Sequence, residues 1–405
     1  MENPKANEAH IPTNESVNLL HVFQRTLNPP APTVSSIVKL ATQFYYVQDT
    51  ISLKELMDGL KHHPDIWALG VVDEAHHGVG IVVINQLQAK MSAAFAHEIL
   101  GRRLVKEVMI SARTFDWDKH ILTVADQIES EVDTSGNNYY LLQNDKGQFA
   151  GIFSSKDLLV EMFRNYQRDL KTSINIQNGL IPEESSLQSD KVEIYSWCKM
   201  AKGIGGDFYA IKKSGNGHWV FMLCDVSGKG VAAGLVTTAL AGMFSHYDQK
   251  SGLKQFIREI NDFMLHAFKM EKYLTGVFME YFEEDRRFVL YDMGHGHVRL
   301  LRKNKVHTMS SENPFLGFVP DLQPTAKKGT LHPGDLIVAF SDGLIEQANT
   351  TRQEFGTQRF DKLIVEHANE KLKKLVSLTH EAVKEFRGDQ PRGDDMTMMA
   401  LRVLE

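Results

Sequence analysis

Cysteine is scarce in this chain, which has only Cys198 and Cys224 among its 405 residues. Two cysteines without metal-ligand spacing exclude a disulfide framework and argue against a structural zinc site. No apolar run reaches the roughly 18 residues that a membrane-spanning helix needs. The first residues, MENPKANEAHIPTNES, lack the apolar core of a signal peptide. We therefore expect a cytoplasmic protein with no membrane association.

Long basic runs are also missing, and the formal net charge is −6. Proteins that bind nucleic acid neutralise phosphates with clustered Lys and Arg, so nucleic-acid binding is not expected. The hydrophobic content of 42% and the charged content of 24% are ordinary for a globular protein. At 405 residues the chain exceeds the size of one hydrophobic core, which predicts two or three domains.

The first 162 residues divide into a lead-in and a weak repeat. Residues 1–32 are rich in Asn, Pro, Glu and Thr, which predicts a disordered segment. Residues 33–162 contain two copies of a helix–strand–turn–strand–helix pattern, most evident at 67–91 and 139–162. Gly80 and Gly151 occupy matching places in the two copies. One such unit cannot bury both of its faces, so we expect the two copies to pack together.

Residues 163–189 are predicted to form a helical linker. Its apolar stripe consists of Phe163, Tyr166, Leu170, Ile174 and then Ile176 or Gln177, and Gly179 and Pro182 end the helix. A plain connecting helix is one interpretation. The other is a helix that pairs with a second copy as a short coiled coil and transmits a signal.

From residue 190 to residue 405 the pattern changes to paired strands with helices between them. Alternating apolar runs predict strands, among them HWVFMLCDV (218–226), LTGVFMEYF (274–282) and DMTMMALRV (395–403). Apolar residues at three- and four-residue steps predict helices over 231–247, 253–268 and roughly 359–386. So many antiparallel strand candidates with amphipathic helices predict an α+β fold in layers.

Four aspartates carry the chemistry suggested by this region. They lie in GGDFYA (205–210), CDVSGKG (224–230), AFSDGLIE (339–346) and RGDDMTMMALRV (392–403), and are Asp207, Asp225, Asp342 and Asp394. Each lies at a predicted strand end or chain reversal. Carboxylates that converge from distant segments form a site for hard cations such as Mg²⁺ or Mn²⁺. A pair of such ions suits the hydrolysis of a phosphate ester.

The order of these motifs, together with IQNGLIPEE (176–184), NPFLGF (313–318) and LHPGDLIVAFSDGLIEQAN (331–349), resembles the SpoIIE-like branch of the metal-dependent, type-2C-like serine/threonine protein phosphatases. The resemblance implies an antiparallel β-sandwich flanked by helices. It also implies two Mn²⁺ or Mg²⁺ ions that activate a water molecule, with Asp225 bridging the ions. Asp207 and the carbonyl of Val226 would complete the coordination of one ion, and Asp342 and Asp394 that of the other. Asp395 could support these ligands.

Two departures from the family pattern bear on the site. Lys229 stands where classical type-2C enzymes have a histidine, and it is a candidate for neutralising phosphate charge. The segment YDMGHGHVRLL (291–301) differs from the usual Asn-Ala-Gly-His-Asn-Pro. His295 and His297 share a strand face, but with a carboxylate site available they are interpreted as turn or surface residues. Ser227 is interpreted as a turn residue and not as a nucleophile.

The N-terminal repeat resembles a tandem pair of cystathionine-β-synthase (CBS) modules, which often bind adenine nucleotides. The second copy carries GIFSSKD (151–157), so Asp157 would bond ribose hydroxyls and Ser154 a phosphate. The first copy has GIVVINQ (80–86) and departs from that signature at Val83 and Gln86. The alternative is that Ser154 and Asp157 only cap a helix, and that the module serves for dimerisation.

The leading hypothesis is a protein serine/threonine phosphatase regulated by ligand binding to the CBS pair. Its substrate would be a phosphorylated signalling protein such as an anti-sigma-factor antagonist, and it would be a homodimer through the CBS pair and the linker helix. Two other classes remain open: a nucleotide-sensing scaffold with weak or no catalysis, and a bimetal phosphodiesterase.

Overall fold

The computed structural model describes residues 22–26, 35–61, 63–92, 100–129, 138–215, 217–309 and 313–404. The chain divides into two compact units, residues 1–168 and 169–405, each with its own sheets and apolar cores. Within these described ranges, no helix is both long enough and apolar enough to cross a membrane.

The first unit contains two sheets that share a strand–helix–strand–strand–helix order, and the first sheet has one additional strand. The first sheet has the order β1 (Phe23–Arg25), β2 (Tyr45–Gln48), β3 (Ala68–Val72) and β4 (Gly78–Val83), with helices α1 (Leu53–Leu60) and α2 (Ile84–Met91). The second has β5 (Thr114–Asp116), β6 (Tyr139–Gln143) and β7 (Phe149–Ser154), with α3 (Ile121–Ile128) and the start of α4 (Ser155–Leu180). In each copy a parallel strand pair is followed by an antiparallel pair.

The internal repeat expected from the sequence is present down to the strand register. Gly80 pairs with Val71 and Gly151 pairs with Leu142, and in both copies the register shifts at the next residue of the partner strand. Such bulges bend a strand and increase its local twist. A shared buried core joins the two copies, in which Ala68, Val72, Ile81 and Val83 pack with Leu141, Phe149 and Ile152.

The predicted disordered segment needs one correction. Phe23 is fully buried in the core of the first copy, and its strand pairs with Tyr45–Gln48 along an antiparallel register. Burial of a large aromatic side chain in a hydrophobic core stabilises even a three-residue strand. Apart from residues 22–26, the segment 1–32 lies outside the described residues.

The helical linker has other bounds than the sequence indicates. Helix α4 already begins at Ser155, directly after β7, and ends at Leu180, just before Pro182. Strand β8 (Glu184–Gln188) lies within the predicted linker, yet it pairs with β9 (Val192–Lys199) as the edge of a sheet of the second unit. The second unit therefore begins before residue 190, the boundary predicted from the sequence.

The second unit has two antiparallel sheets between two pairs of helices. One sheet has the order β10 (Asp207–Ser214), β11 (His218–Val226), β12 (Leu274–Phe282), β13 (Arg287–Met293) and β16 (Lys327–Thr330). The other has β15 (Lys305–Thr308), β14 (Val298–Arg302), β17 (Leu336–Phe340), β18 (Met396–Val403), β9 and β8. The helices are α5 (Val231–Ser245), α6 (Leu253–Phe268), α7 (Thr357–Glu366) and α8 (Leu372–Arg387).

Three buried cores lie between these layers. The central core joins the two sheets, for example through Phe221, Leu290, Val298 and Leu401. A second core packs the first sheet against α5 and α6, and a third packs the other sheet against α7 and α8. The alternating strands predicted from the sequence thus bury one face against the partner sheet and the other against helices, and the expected sandwich flanked by helices is confirmed.

The single helix predicted over roughly 359–386 is wrong, because two helices occupy that range. Helix α7 ends at Glu366 and α8 begins at Leu372. Asn369, between them, has low helix propensity. The Glu193 carboxylate accepts the backbone N–H of Leu372 at 2.9 Å, which satisfies one of the free donors at the start of the new helix.

Candidate metal centre

The four predicted aspartates all lie at strand ends, as expected. Asp207 opens β10 and is the cross-strand partner of Asp225 near the end of β11. Asp342 starts a short 3-10 turn directly after β17, and Asp394 lies two residues before β18, the neighbour of β17. The two sheets therefore each supply a pair of acids.

Three of the four acids line one cavity of about 340 Å³, together with Val226 and Lys229. They are Asp225, Asp342 and Asp394. The fourth, Asp207, is not among the lining residues. Its buried carboxyl group is instead bonded to the hydroxyl of Thr397 at 2.5 Å.

The cavity carries crowded negative charge. Burial, followed by the nearby carboxylates of Asp342 and Asp394, raises the pKa of Asp225 to about 7. Burial and then Asp394 raise the pKa of Asp342. Burial and then Asp225 place the pKa of Asp207 well above its ordinary range. A divalent cation among these groups would relieve both the desolvation and the mutual repulsion.

The side chains are not arranged around a single point, however. In the part of the chain that the structure describes, no three His, Cys, Asp or Glu side chains converge closely enough to hold an ion. The Lys229 ammonium lies 2.7 Å from Asp394 Oδ2 and also donates to the carbonyl of Gly393 at 2.7 Å. The lysine thus supplies the cationic charge beside Asp394 in this conformation.

The glycine pair before Asp207 is required by close backbone contacts. A Cβ on Gly205 would lie 2.0 Å from Asp395 Oδ2, and one on Gly206 would lie 2.6 Å from the Val226 carbonyl oxygen. Asp395 accepts the N–H groups of Gly206 and Ala201, both at 2.7 Å. Asp395 therefore fixes the backbone that leads into Asp207, and it does not line the cavity.

Sequence reasoning missed one side chain that acts on the same backbone. The side chain of Gln177 on α4 is buried and makes three hydrogen bonds. Its amide nitrogen donates to Gly205 O at 2.8 Å and to Thr237 Oγ1 at 2.7 Å, while its oxygen accepts from Gly205 N at 3.1 Å. The signal was a glutamine at an apolar position of the linker stripe.

The two histidines of the β13–β14 turn lie at the cavity and not on the surface. His295 is buried, and its backbone N–H donates to Asp292 Oδ1 at 2.7 Å. Its Nε2 lies 2.8 Å from the Phe340 carbonyl and its Nδ1 lies 3.1 Å from Thr275 Oγ1. Burial, with His297 as second cause, lowers the pKa of His295 to about 4, so the ring is neutral. Both residues lie in the turn, which confirms their interpretation as turn residues; His295 is buried and His297 is half-buried.

Lys229 and Ser227 have clear structural partners in the same turn. Ser227 N–H donates to the Tyr273 carbonyl at 2.8 Å, and Ser227 Oγ accepts from Tyr273 N–H at 3.1 Å. These bonds agree with the interpretation of Ser227 as a turn residue. Lys229 lies immediately before Gly230, which is the N-cap of α5.

The predicted nucleotide residues lie in the first unit. Ser154 and Asp157 line a cavity of about 490 Å³ that also includes Thr42, Trp67 and Tyr139. Asp157 Oδ2 accepts from Ser154 N at 2.8 Å and Ser154 Oγ at 2.7 Å, and Asp157 N–H donates to Ser154 Oγ at 3.2 Å. This reciprocal pattern is a capping box at the start of α4. The cap and the cavity coexist, so both interpretations of these residues remain open.

Comparison with known proteins places the second unit. Residues 215–404 match the family model of stage II sporulation protein E (SpoIIE). That segment ends just after β18 and includes Asp225, Asp342 and Asp394 with the strands that carry them. The chain contains a SpoIIE-type phosphatase domain.

Named relatives agree with this assignment. Phosphoserine phosphatase RsbU of Bacillus subtilis is 24% identical over 275 residues, which cover 62% of this chain and 80% of RsbU. Phosphoserine phosphatase RsbP of the same organism is 20% identical, covering 56% of each chain. The solved SiaA-PP2C domain of Pseudomonas aeruginosa superposes with a TM-score of 0.52 at 18% identity, over 60% of this chain and 98% of that domain. This structural likeness shows a shared fold for the SpoIIE-type domain.

Proposed function

We propose that the protein is a metal-dependent serine/threonine protein phosphatase. The observation that carries the proposal is the shared cavity of Asp225, Asp342 and Asp394 inside a SpoIIE-type domain. Their oxygen donors suit Mg²⁺ or Mn²⁺, and the raised pKa of Asp225 marks a place where a cation would be stabilised. No serine nucleophile is required in this mechanism.

The residues fit a two-ion site by donor type, and Asp225 would supply carboxylate oxygens to it. Asp342 and Asp394 would hold one ion, and Asp207 and the Val226 carbonyl would hold the other. Ions held there would supply activation of a water molecule and would offset the charge of a phosphoryl group. For Asp207 to take part, its carboxyl group must turn away from the hydroxyl of Thr397. For Asp394 to take part fully, it must leave the ammonium of Lys229.

The protein's own side chains then position and neutralise the substrate. Lys229 released from Asp394 keeps its bond to the Gly393 carbonyl and has donors left at the cavity, where its charge would offset that of a phosphate. Thr275 also lines the cavity. Because Nε2 of His295 faces a carbonyl, it must carry the proton, so Nδ1 accepts from the Thr275 hydroxyl. The Thr275 oxygen is thereby oriented to accept from water or substrate.

The proposed substrate is phosphoserine or phosphothreonine on a small signalling protein, with an anti-sigma-factor antagonist as the candidate. Support comes from the two relatives named phosphoserine phosphatases. The cavity of about 340 Å³ has room for a phosphorylated side chain but little more, so the rest of a substrate protein would lie outside it.

We further propose that the first unit regulates the site as a CBS pair with an adenine nucleotide as ligand. The cavity that includes Ser154 and Asp157 supports a small-molecule site. Helix α4 supports the coupling, because it begins beside Ser154 and carries Gln177, which bonds the glycine pair before Asp207. A change at the start of α4 could thus alter the backbone of the metal centre.

A homodimer through α4 belongs to the same proposal. Leu159, Phe163 and Tyr166 follow a spacing of four and then three residues and are exposed by 68%, 56% and 60%. Three large apolar side chains on one stripe fit the seam of a two-stranded coiled coil. Analytical ultracentrifugation of Phe163→Glu tests this, and a protein that sediments as a monomer with or without the substitution contradicts it.

The function itself is tested by phosphate release from a phosphoserine peptide in the presence of Mn²⁺. We expect turnover by the natural protein and by Asp190→Asn, an exposed control, and none by Asp225→Asn. If the peptide is not hydrolysed but a cyclic dinucleotide is, the phosphodiesterase alternative is correct. If no ester is hydrolysed and adenine nucleotides bind, the protein is a sensing scaffold. Unchanged turnover on addition of adenine nucleotides contradicts the regulatory part alone.

A further inference from the structure

A second cavity in the catalytic unit is lined mainly by cationic and imidazole side chains. It measures about 170 Å³ and is lined by His380, Lys384, Arg387 and Arg392, with Val383 and Met396 as its apolar residues. The first three belong to the last two turns of α8, and Arg392 belongs to the segment before β18. None of these residues lines the cavity of the candidate metal centre.

The cations of this cavity lack carboxylate partners. Among the described residues, the ion pairs do not include Lys384, Arg387 or Arg392, although other lysines and arginines nearby are paired. Arg392 donates one Nη1 bond to the carbonyl of Met200 at 3.0 Å. The Nε atom of Arg387 is buried and has no acceptor. A buried donor without a partner is costly and usually marks a missing ligand or water.

The charges act on the same small space. The pKa of His380 is lowered first by burial and then by Arg392, Lys384, Lys199 and Arg387, so its ring is neutral at physiological pH. The charges of Arg392, Lys384 and Arg387 all act on the ring of His380, so these cations share one small space and repel one another. An anion in the cavity would convert this repulsion into attraction.

A structural explanation accounts for only part of the cluster. Cations at the end of a helix interact favourably with its last carbonyl groups, which suits Lys384 and Arg387 in the last turn of α8. It does not account for Arg392, which comes from another segment. Nor does it account for the buried N–H of Arg387, which faces no carbonyl.

Asp395 and Glu183, the two acids whose charge acts on Arg392, are already engaged elsewhere. Asp395 accepts backbone N–H groups of Ala201 and Gly206. Glu183 accepts from the ammonium of Lys199 at 2.6 Å. The positive charge of the cavity is therefore available to a ligand from outside this unit.

We propose that this cavity binds a phosphate-type oxyanion, with Arg387 and Arg392 as its principal ligands and Lys384 beside them. Guanidinium groups present planar N–H donors that match tetrahedral oxyanions and make strong, charge-assisted bonds. A volume of about 170 Å³ holds a phosphoryl group, whereas drug-sized ligands occupy larger pockets. The oxyanion is either inorganic phosphate or the phosphoryl group of a phosphorylated side chain.

Calorimetric titration of inorganic phosphate into the full chain tests the site. The protein is kept metal-free with EDTA and the ionic strength is held constant with chloride, so that the carboxylate centre does not attract the anion. Arg387→Gln should weaken phosphate binding about tenfold or more, since it removes a charge and several donors. Lys374→Gln is the matched control, because Lys374 is an exposed residue of the same helix paired with Glu370, and it should bind phosphate as the natural protein does.

The proposal is overturned if the natural protein does not bind phosphate, or if Arg387→Gln binds phosphate as tightly as the natural protein. It is also overturned if Lys229→Gln loses phosphate binding, because that result would place the anion in the metal-centre cavity. Misfolding is checked by thermal unfolding without phosphate. Arg387→Gln should be at least as stable as the natural protein there, because it removes an N–H without an acceptor. A phosphoserine peptide that binds more tightly than phosphate in an Arg387-dependent manner identifies a protein-borne ligand, and equal affinity identifies the free anion.

Discussion

Replacing Asp225 by asparagine should stabilise the metal-free protein at pH 8, even though it removes a proposed metal ligand. Burial and the carboxylates of Asp342 and Asp394 raise the pKa of Asp225 from 3.8 to about 7. The folded protein therefore retains a proton that the unfolded chain has already released. Below about pH 4 the Asp225 carboxyl does not lower the free energy of unfolding. As the pH rises from about 4 to about 7, the free energy of unfolding falls.

The magnitude follows from that shift. A change from 3.8 to about 7 corresponds to roughly 4 kcal/mol in the free energy of unfolding at high pH, at about 1.36 kcal/mol per pKa unit. The neighbouring acids share the repulsion and side chains relax, so we expect about 2 kcal/mol for the substitution. Asparagine has nearly the same shape and no charge, which removes the repulsion without creating a cavity.

Urea unfolding in EDTA at pH 4, 6 and 8, followed by circular dichroism, measures the effect. Asp225→Asn should match the natural protein at pH 4 and exceed it at pH 8. Asp335→Asn is the contrasting control, since Asp335 is buried but paired with Arg302. We expect it to destabilise the protein at pH 8 by about 1–3 kcal/mol. Equal stability of Asp225→Asn and natural protein at pH 8, or a gain at pH 4 as large as at pH 8, would refute the reasoning.

Three further substitutions probe the surroundings of the centre. Gln177→Ala leaves buried backbone groups without partners, so it should lower the free energy of unfolding in urea by about 2–3 kcal/mol and should also lower kcat. An unchanged kcat would show that α4 does not influence the site. Lys229→Gln should tighten Mn²⁺ binding in calorimetry, because Asp394 loses its competing ammonium, yet should raise KM for a phosphopeptide; weaker Mn²⁺ binding contradicts this. Gly206→Ala forces a methyl group against the Val226 carbonyl and should lower the melting temperature by several degrees, and full stability would show that the backbone yields there.

The sequence was most informative where local physics decides the structure. Strand β12 has the predicted bounds Leu274–Phe282, and α6 has the predicted bounds Leu253–Phe268. In these segments the alternation of two or the period of 3.6 matches burial along the whole element, and Gly252 precedes the helix with φ of 77°. The location of all four acids at strand ends followed from the same local patterns.

Side-chain partners were not accessible in the same way. Asp207 bonds Thr397 across 190 positions, and Gln177 bonds Gly205 across 28 positions. The position of a glutamine in an apolar helical stripe does not predict which backbone groups it will hydrogen-bond. Likewise, the break between α7 and α8 depends on the Glu193 carboxylate from a distant strand. Such contacts arise only when the layers are assembled.

The orientation of Asp207 shows why strand-end position alone does not define a ligand. Asp207 and Asp225 are direct cross-strand partners, so their Cβ atoms lie within about 4.5–5.5 Å of each other and two carboxylates there repel. In the structure Asp207 is buried against the hydroxyl of Thr397, and burial followed by the charge of Asp225 raises its pKa well above the ordinary range. Binding of an ion by Asp207 would therefore require its side chain to move away from Thr397. In the proposed site, the affinity for the ions, and with it the activity, would be linked to the hydrogen bonds that hold the strand of Asp207 in place.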